Sequence, residues 1–170
     1  MAFLGFLQPR PDESSALLPA TQSRAPGTLI GYDPLLIKHL RSDHQRMLGL
    51  FTQTQELLTT HDYDGVKRKL GELRITLQDH LMTANVKFYV YVSRHLAGDP
   101  AKTAIINEYR REMLINSRQI MDFLRTYSAA RLDDSFADSF QIELLVIGSA
   151  LVQRIEREQS TLFPLYQASY

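Results

Sequence analysis

Apolar residues recur at helical spacing in four long segments of this chain, and this repeat constrains its fold more than any other feature. Residues three and four apart lie on one face of an α-helix, so each segment presents an apolar face. The first helix is predicted to open at Asp33-Pro34 and to end near residue 60. The others are predicted over about residues 64–97, 101–128 and 136–164, with short polar links between them. The pattern predicts an all-α fold, an antiparallel up-down-up-down four-helix bundle.

Residues 1–32 differ in composition from the rest of the chain. Four of the seven prolines fall there, with serines and a glycine between them. Such a stretch is typical of an extended, irregular segment, so we predict an N-terminal arm over 1–32 and one helical domain over 33–170. The start of the arm is apolar through Phe3, Leu4, Phe6 and Leu7. These residues are expected to dock on the helical domain; a partner or a membrane surface is the alternative.

Composition argues against several classes of function. The net charge is zero at pH 7 and the pI is near 7.0, so binding of nucleic acid through its phosphates is not expected. The chain contains no cysteine, which excludes disulfides and thiolate metal sites and is consistent with a reducing compartment. No uninterrupted apolar run approaches the ~20 residues of a membrane span, and no basic residue precedes the apolar N-terminus as in a signal peptide. We expect a cytoplasmic protein with no transmembrane segment.

Polar side chains interrupt the apolar faces of all four predicted helices. In chain order these residues are His44, His80, Glu112, Asn116, Arg154 and Glu158. All fall near mid-helix, so packing could bring them to one level of the bundle, where metal and cofactor sites of helical bundles are built. One such histidine alone is more simply a hydrogen-bonded core residue, but a set spread over four helices favours a site. Buried charges in this set need partners, because burial without them is costly.

Three segments carry a further signal: SDH ending at His44, HLMTANVKFYVYV beginning at His80, and RIEREQSTLFPLY in the fourth helix. Through them the chain resembles the hemerythrin-like, or HHE cation-binding, family over roughly residues 33–166. In that family, a four-helix bundle holds two irons through five histidines and two bridging carboxylates. The first helix supplies one histidine, the second H-x-x-x-E, the third two histidines, and the fourth a histidine followed by a carboxylate.

Residue by residue, the resemblance implies that part of this site is kept. His44 and His80 match the histidines of the first two helices, and Glu158 matches the carboxylate of the fourth. Two imidazoles and one carboxylate could hold a single Fe, Mn or Zn ion with open coordination positions. A ferritin-like di-iron site would need Glu-x-x-His on two helices, and the sequence contains no such motif.

The resemblance also implies that the other ligands are replaced. Ala84 stands at the position of the bridging glutamate and Arg154 at that of the fourth-helix histidine. The third helix contains no histidine, and Glu112 and Asn116 are its closest substitutes. Arginine stays protonated in proteins and cannot ligate a metal, so we predict that Arg154 pairs with Glu158, Glu112 or both in place of an ion. Arg154, Glu112 and Asn116 would form the core polar network that replaces the metal.

These features favour a binding protein over an enzyme. The first hypothesis is a non-enzymatic regulatory or signalling module that has lost di-iron chemistry, needs no cofactor and contacts another protein. The second is a sensor of oxygen, nitric oxide or redox state that uses a single metal ion on His44, His80 and Glu158. A hydrolase or transferase is disfavoured because the sequence has no G-x-S-x-G, no phosphate-binding loop and no H-E-x-x-H.

Overall fold

The computed structural model describes residues 24–25, 27 and 29–168, and this part of the chain is mostly helical. Its α-helices are α1 (Leu36–Thr59), α2 (Tyr63–Thr83), α3 (Val90–His95), α4 (Pro100–Ala129) and α5 (Asp134–Arg157). A first π-helical segment, Ala84–Tyr89, joins α2 to α3. A second, Glu158–Leu162, extends α5 into a short 3-10 turn, Phe163–Leu165. The predicted all-α fold is confirmed.

The helices of the described residues form four rods, because α2 and α3 make one continuous rod and α5 continues through its π-helical segment. α1 packs on α2 and α5, and α4 packs on the same two helices, so each rod has two main neighbours. This arrangement is a helical bundle with a shared core. The antiparallel up-down-up-down order stays a prediction.

Two apolar clusters fill the bundle, one on each side of a thin polar layer. The first cluster includes Met47, Leu77, Ile120 and Ile155, and the second includes Leu40, Ala84, Met113 and Leu162. On each rod the chain passes from one cluster to the other across a polar residue that is buried or half-buried: His44, His80, Asn116 or Glu158. The sequence spacing of these residues thus places them at one level of the core.

Aspartate side chains cap the starts of three helices. Asp62, Asp99 and Asp133 accept hydrogen bonds from backbone N–H groups in the first turns of α2, α4 and α5, at 2.8, 3.1 and 3.1 Å. The first helix does not open at Asp33-Pro34 as predicted. Asp33 instead accepts a hydrogen bond from the N–H of Leu35 at 2.9 Å, in a turn that precedes α1.

The described part of the predicted arm lies against the end of the bundle formed by α1 and the extension of α5. Arg24 and Gly31 form an isolated antiparallel bridge. Tyr32 stacks on Tyr166 with ring centroids 4.9 Å apart, and the Tyr166 hydroxyl accepts a hydrogen bond from the backbone N–H of Asp33 at 2.9 Å. The apolar residues at positions 3, 4, 6 and 7, which are predicted to dock on the helical domain, lie outside the described residues.

The helical span Asp134–Leu165 is long and apolar enough, by length and composition alone, to cross a membrane. Core helices of globular proteins meet the same criterion, although only 22% of this apolar window is buried in the bundle. One face of the span packs on α1 and α4, and this face places the charged residue Glu158 in the core. The absence of a transmembrane segment is therefore kept as a prediction, and the exposed apolar face of α5 needs its own explanation.

Candidate metal centre

Three side chains that the sequence singled out, His44, His80 and Glu158, meet in the polar layer. α1 supplies His44, α2 supplies His80, and Glu158 begins the second π-helical segment. All three are buried, and their ligand atoms lie within 4.8 Å of one another. His44 Nε2 is 2.9 Å from Glu158 Oε2, and His80 Nε2 is 3.6 Å from the same oxygen. Two imidazoles and a carboxylate are a donor set that binds divalent transition metals.

Both π-helical segments begin at positions that the family resemblance assigns to carboxylate ligands. Ala84 begins the first segment and Glu158 the second. A π-helical turn contains one residue more than an α-helical turn, so it changes which side chains face inward, and such turns are frequent at functional sites. The first segment turns both Phe88 and Tyr89 into the core. The apolar repeat predicts continuous α-helices here and is wrong at both segments.

Arg154 lies on the side of the cluster where the resemblance places a histidine. It precedes Glu158 by one helical turn, and its Nη2 donates a hydrogen bond to Glu158 Oε1. The other carboxylate oxygen faces the two histidines, so both oxygens have partners. Burial acts to raise the pKa of Glu158, but the hydrogen bonds from the histidines and the charge of Arg154 outweigh it and hold this pKa well below its usual range. The core therefore contains an ionised carboxylate.

A cavity of about 170 Å³ lies beside Arg154 and Glu158, and Glu112 and Asn116 of α4 line its other wall. Glu112 forms an ion pair with Arg157 at 2.9 Å. Of the two carboxylates predicted as partners of Arg154, the one in contact with it is therefore Glu158. The three residues predicted to form one polar network share this cavity, but Arg154 and Glu112 belong to separate ion pairs.

Asp43, which directly precedes His44, lies behind His80, on the side of the ring that faces away from Glu158. Its Oδ2 lies 3.5 Å from His80 Nδ1, in a geometry that falls short of a hydrogen bond. Burial acts to lower the pKa of His80, but the carboxylates of Asp43 and Glu158 raise it above its ordinary value. A carboxylate behind a metal-binding histidine orients the ring and makes it a stronger ligand. The motif SDH contains Asp43, but no sequence spacing links this residue to a histidine on another helix.

A second chain of polar contacts ends on His44. Gln159 Nε2 lies 3.3 Å from His44 Nδ1, and Gln159 Oε1 accepts a hydrogen bond from Arg41 at 3.0 Å. Because Arg41 can only donate, it holds the amide with its NH₂ group toward the ring. Nδ1 then accepts, and the proton on Nε2 is donated to Glu158. This tautomer favours a hydrogen bond to the carboxylate over metal ligation by Nε2.

Tyr89 adds a polar group that the sequence analysis does not place in the core. Its hydroxyl is buried and has no hydrogen-bond partner within the part of the chain that the structure describes. Burial raises the pKa of this phenol, the charge of Glu158 adds to the rise, and Arg154 acts in the opposite direction. A neutral donor therefore lies beside the Arg154–Glu158 pair. Its inward position follows from the first π-helical segment, for which the apolar repeat contains no signal.

The residues present do not fit two irons. Ala84 offers a methyl group where a bridging carboxylate is needed, and Arg154 brings a permanent positive charge, which repels a metal ion. α4 contains no histidine. Donors for a single cation are present in His44, His80 and Glu158, but one oxygen of Glu158 is held by Arg154 and the ligating nitrogen of His44 carries a proton in the arrangement described.

Together, the fold and this site define a helical bundle built around a buried histidine–carboxylate cluster. A sequence model of the hemerythrin HHE cation binding domain matches residues 35–166. The chain belongs to this family, and the resemblance carried by its motifs is confirmed. Neither the curated proteins nor the solved structures contain a significant match to the chain.

Proposed function

We propose that this protein is a non-enzymatic regulatory or interaction module, an antiparallel up-down-up-down bundle whose core charges take the place of the di-iron centre of its family. One observation carries the proposal: the Arg154 guanidinium holds Glu158 from the position where the resemblance assigns a histidine ligand. A guanidinium remains charged in proteins and cannot ligate a metal. It supplies the positive charge that an iron would otherwise bring to this carboxylate.

The electrostatics of the core support a fixed cation instead of an exchangeable one. A buried carboxylate needs both charge compensation and hydrogen bonds. Glu158 has Arg154 on Oε1 and His44 on Oε2, so both of its oxygens have partners that belong to the chain. Because the arginine belongs to the chain, folding alone completes this core. We infer that the bundle acts through its surface, by contact with another protein, and we retain the cytoplasmic location expected from composition.

Elemental analysis of protein purified without chelators tests this proposal. We expect iron, manganese and zinc each at well below one ion per chain, and no change in melting temperature when Fe(II) is added without oxygen. Arg154→Ala removes the core cation and should make the protein more responsive to Fe(II). Arg157→Ala removes a neighbouring exposed arginine and is the matched control. Stoichiometric metal in the wild-type protein would overturn the proposal.

A second candidate function is a sensor of oxygen, nitric oxide or redox state with a single metal ion. The convergence of His44, His80 and Glu158, with Asp43 behind His80, favours it. These residues would hold the ion, and a bound Fe(II), Mn(II) or Zn(II) ion would supply open coordination positions.

Substitution of one histidine distinguishes this candidate from the first. If the sensor hypothesis is right, His44→Ala abolishes metal uptake while the helical content, measured by circular dichroism, is unchanged. His39→Ala, which removes a largely exposed histidine of the same helix, should leave uptake intact. Metal uptake that persists in His44→Ala would exclude this site.

A further inference from the structure

The outward face of α5 carries an apolar stripe that the described residues leave exposed. Ile142, Leu145, Val146 and Val152 are 65%, 48%, 64% and 41% exposed. Ser149 is also exposed. The positions 142, 145, 149 and 152 are separated by three, four and three residues, the alternation that is typical of a contact between two helices. Single exposed apolar side chains are ordinary, but a contiguous stripe marks an interaction surface.

Acidic residues lie at both ends of this stripe. Asp138 is one turn before Ile142, Glu156 is one turn after Val152, and both acidic side chains are exposed. Two α5 helices packed on each other would bring these ends together in either a parallel or an antiparallel arrangement, and like charges would face each other. The surface that fits the stripe therefore has an apolar centre and basic residues toward its ends.

The neighbouring helix α4 presents a surface of this kind. Leu114 and Ile115 are about half exposed at its centre. Arg111, Arg118 and Arg125 lie around them at exposed positions spaced seven residues apart, so all three fall on one face of the helix. Exposed Glu108 and Asp122 lie on the same face, but the three arginines leave it with a net positive charge, whereas both ends of the α5 stripe are acidic.

The dimensions of the two surfaces agree. Asp138 and Glu156 are 18 residues apart, about 27 Å along a helix, and Arg111 and Arg125 are 14 residues apart, about 21 Å. Extended arginine side chains span the difference. Arg125 also pairs with Asp122 of its own helix at 2.9 Å, but both side chains are mostly exposed and such a pair contributes little.

We propose that two copies of this chain form a dimer in which α5 of each protomer lies on α4 of its partner. The two helices are neighbours in the bundle, so a twofold axis makes both contacts at once. The apolar stripe is then covered, and its acidic ends face arginines. This dimer names a second copy as a partner of the chain, and it does not depend on the metal content of the core.

A membrane surface is the other occupant that an exposed apolar helix face suggests. Helices that lie on membranes carry lysine and arginine along the flanks of their apolar face. Asp138, Glu143 and Glu156 flank the stripe of α5 instead, and anionic headgroups repel carboxylates. These charges favour the basic α4 face of a second copy.

Sedimentation equilibrium of the full chain tests the dimer. We expect a mass of twice 19.5 kDa at micromolar concentration, and Leu145→Glu should raise the dissociation constant at least about tenfold. Met82→Glu places the same charge on an exposed apolar position of α2 and should leave the dimer intact. A wild-type chain that stays monomeric at its highest soluble concentration would overturn the proposal. Flotation of the monomer with vesicles that contain phosphatidylglycerol would overturn it in favour of a membrane surface.

Exchange of charges identifies the paired helices. The α5 variant Asp138→Arg/Glu156→Arg and the α4 variant Arg111→Glu/Arg125→Glu should each dissociate, because both contacts of each homodimer join like charges. An equal mixture should form a heterodimer, in which both contacts join opposite charges. Thermal melting followed by circular dichroism checks that both variants fold. If the folded α4 variant dimerises like the wild type, α4 is not in the interface and the proposed pairing is wrong.

Discussion

Arg154 and Glu158 lie one helical turn apart where α5 passes into its π-helical extension, and the guanidinium donates to a carboxylate that is almost fully buried. An exposed pair at this spacing would add little to stability. Here the carboxylate is ionised inside the core, so loss of the cation leaves a buried charge without compensation. The pair is therefore part of the structural core, and its removal should be visible in the folding equilibrium.

Arg154→Met should lower the free energy of unfolding by about 2–3 kcal/mol. This is less than the cost of leaving a buried carboxylate with no partner at all, because two histidines still face Glu158. Urea denaturation near neutral pH measures this change. Adding Glu158→Gln should recover part of the loss, since a neutral amide needs no cation. Arg157→Met removes an arginine that is half exposed and pairs with Glu112, and should cost less than about 1 kcal/mol. Equal losses for the two arginine variants would contradict the structural role of Arg154.

Much of the bundle and part of its site can be predicted from periodicity alone. His44, His80 and Glu158 each follow and precede apolar residues of the same face by three or four positions. Once four such faces pack together, residues at matching heights must meet. Local spacing therefore carries enough information to gather these three side chains.

Side-chain contacts between different rods are harder to predict from the sequence. Asp43 meets His80 and Gln159 meets His44 across helix interfaces, and long polar side chains at such places have several partners within reach. The ion pair between Arg157 and Glu112 is likewise one of several that side chains of this length could form. The π-helical segments escape prediction because one extra residue in a turn leaves the apolar repeat of the flanking helices unchanged.

The stability of the metal-free protein should fall as the pH rises above neutrality. Burial acts to lower the pKa of His80, but Asp43 and Glu158 raise it in the folded state. A raised folded pKa adds stability that is complete below the unfolded value, about 6.5, and is lost as the pH rises through the folded value. Glu158 has a lowered pKa, so its contribution is present above its unfolded value and is lost only as the pH falls in acid.

Urea denaturation from about pH 6 to about pH 9 follows this dependence across the range where histidine titrates. His80→Gln removes the titrating group and should flatten the alkaline decline. His95→Gln, which replaces a histidine outside the cluster, should leave the decline as in the wild type. A wild-type profile that is flat over this range, or one that rises, would show that His80 does not carry the effect.

Gln159→Glu should raise the affinity of the core for Zn(II). A carboxylate at this position accepts a hydrogen bond from His44 Nδ1, so the ring proton leaves Nε2, which becomes free to ligate. Arg41 retains an acceptor in the variant. Hydrogen-bond partners of metal ligands change affinity by about 10–100-fold, so we expect an increase of about tenfold in isothermal titration calorimetry. Gln45→Glu adds the same charge at an exposed position of α1 and is the control. Equal affinities for the two variants would show that the His44 tautomer does not limit binding.

If core charges have taken the place of a di-iron centre as proposed, putting the family's ligand types at the altered positions should allow iron to bind. The variant combines Ala84→Glu, Glu112→His, Asn116→His and Arg154→His, which places the ligand types of the family at the altered positions. Glu112 and Asn116 are one turn apart on α4 and line the same cavity as Arg154, so imidazoles there can face the retained ligands. The variant is reconstituted with Fe(II) without oxygen. Elemental analysis should then find about two irons per chain, the number held by a di-iron site in a helical bundle.

The matched control carries the three other substitutions and keeps Arg154. Its guanidinium should still repel a second cation and occupy one oxygen of Glu158, so this variant should take up at most about one iron. Circular dichroism of both variants checks that the helices form. Equal iron contents in the two folded variants would mean that Arg154 does not exclude metal, and the proposed replacement of the di-iron centre by an arginine would be wrong.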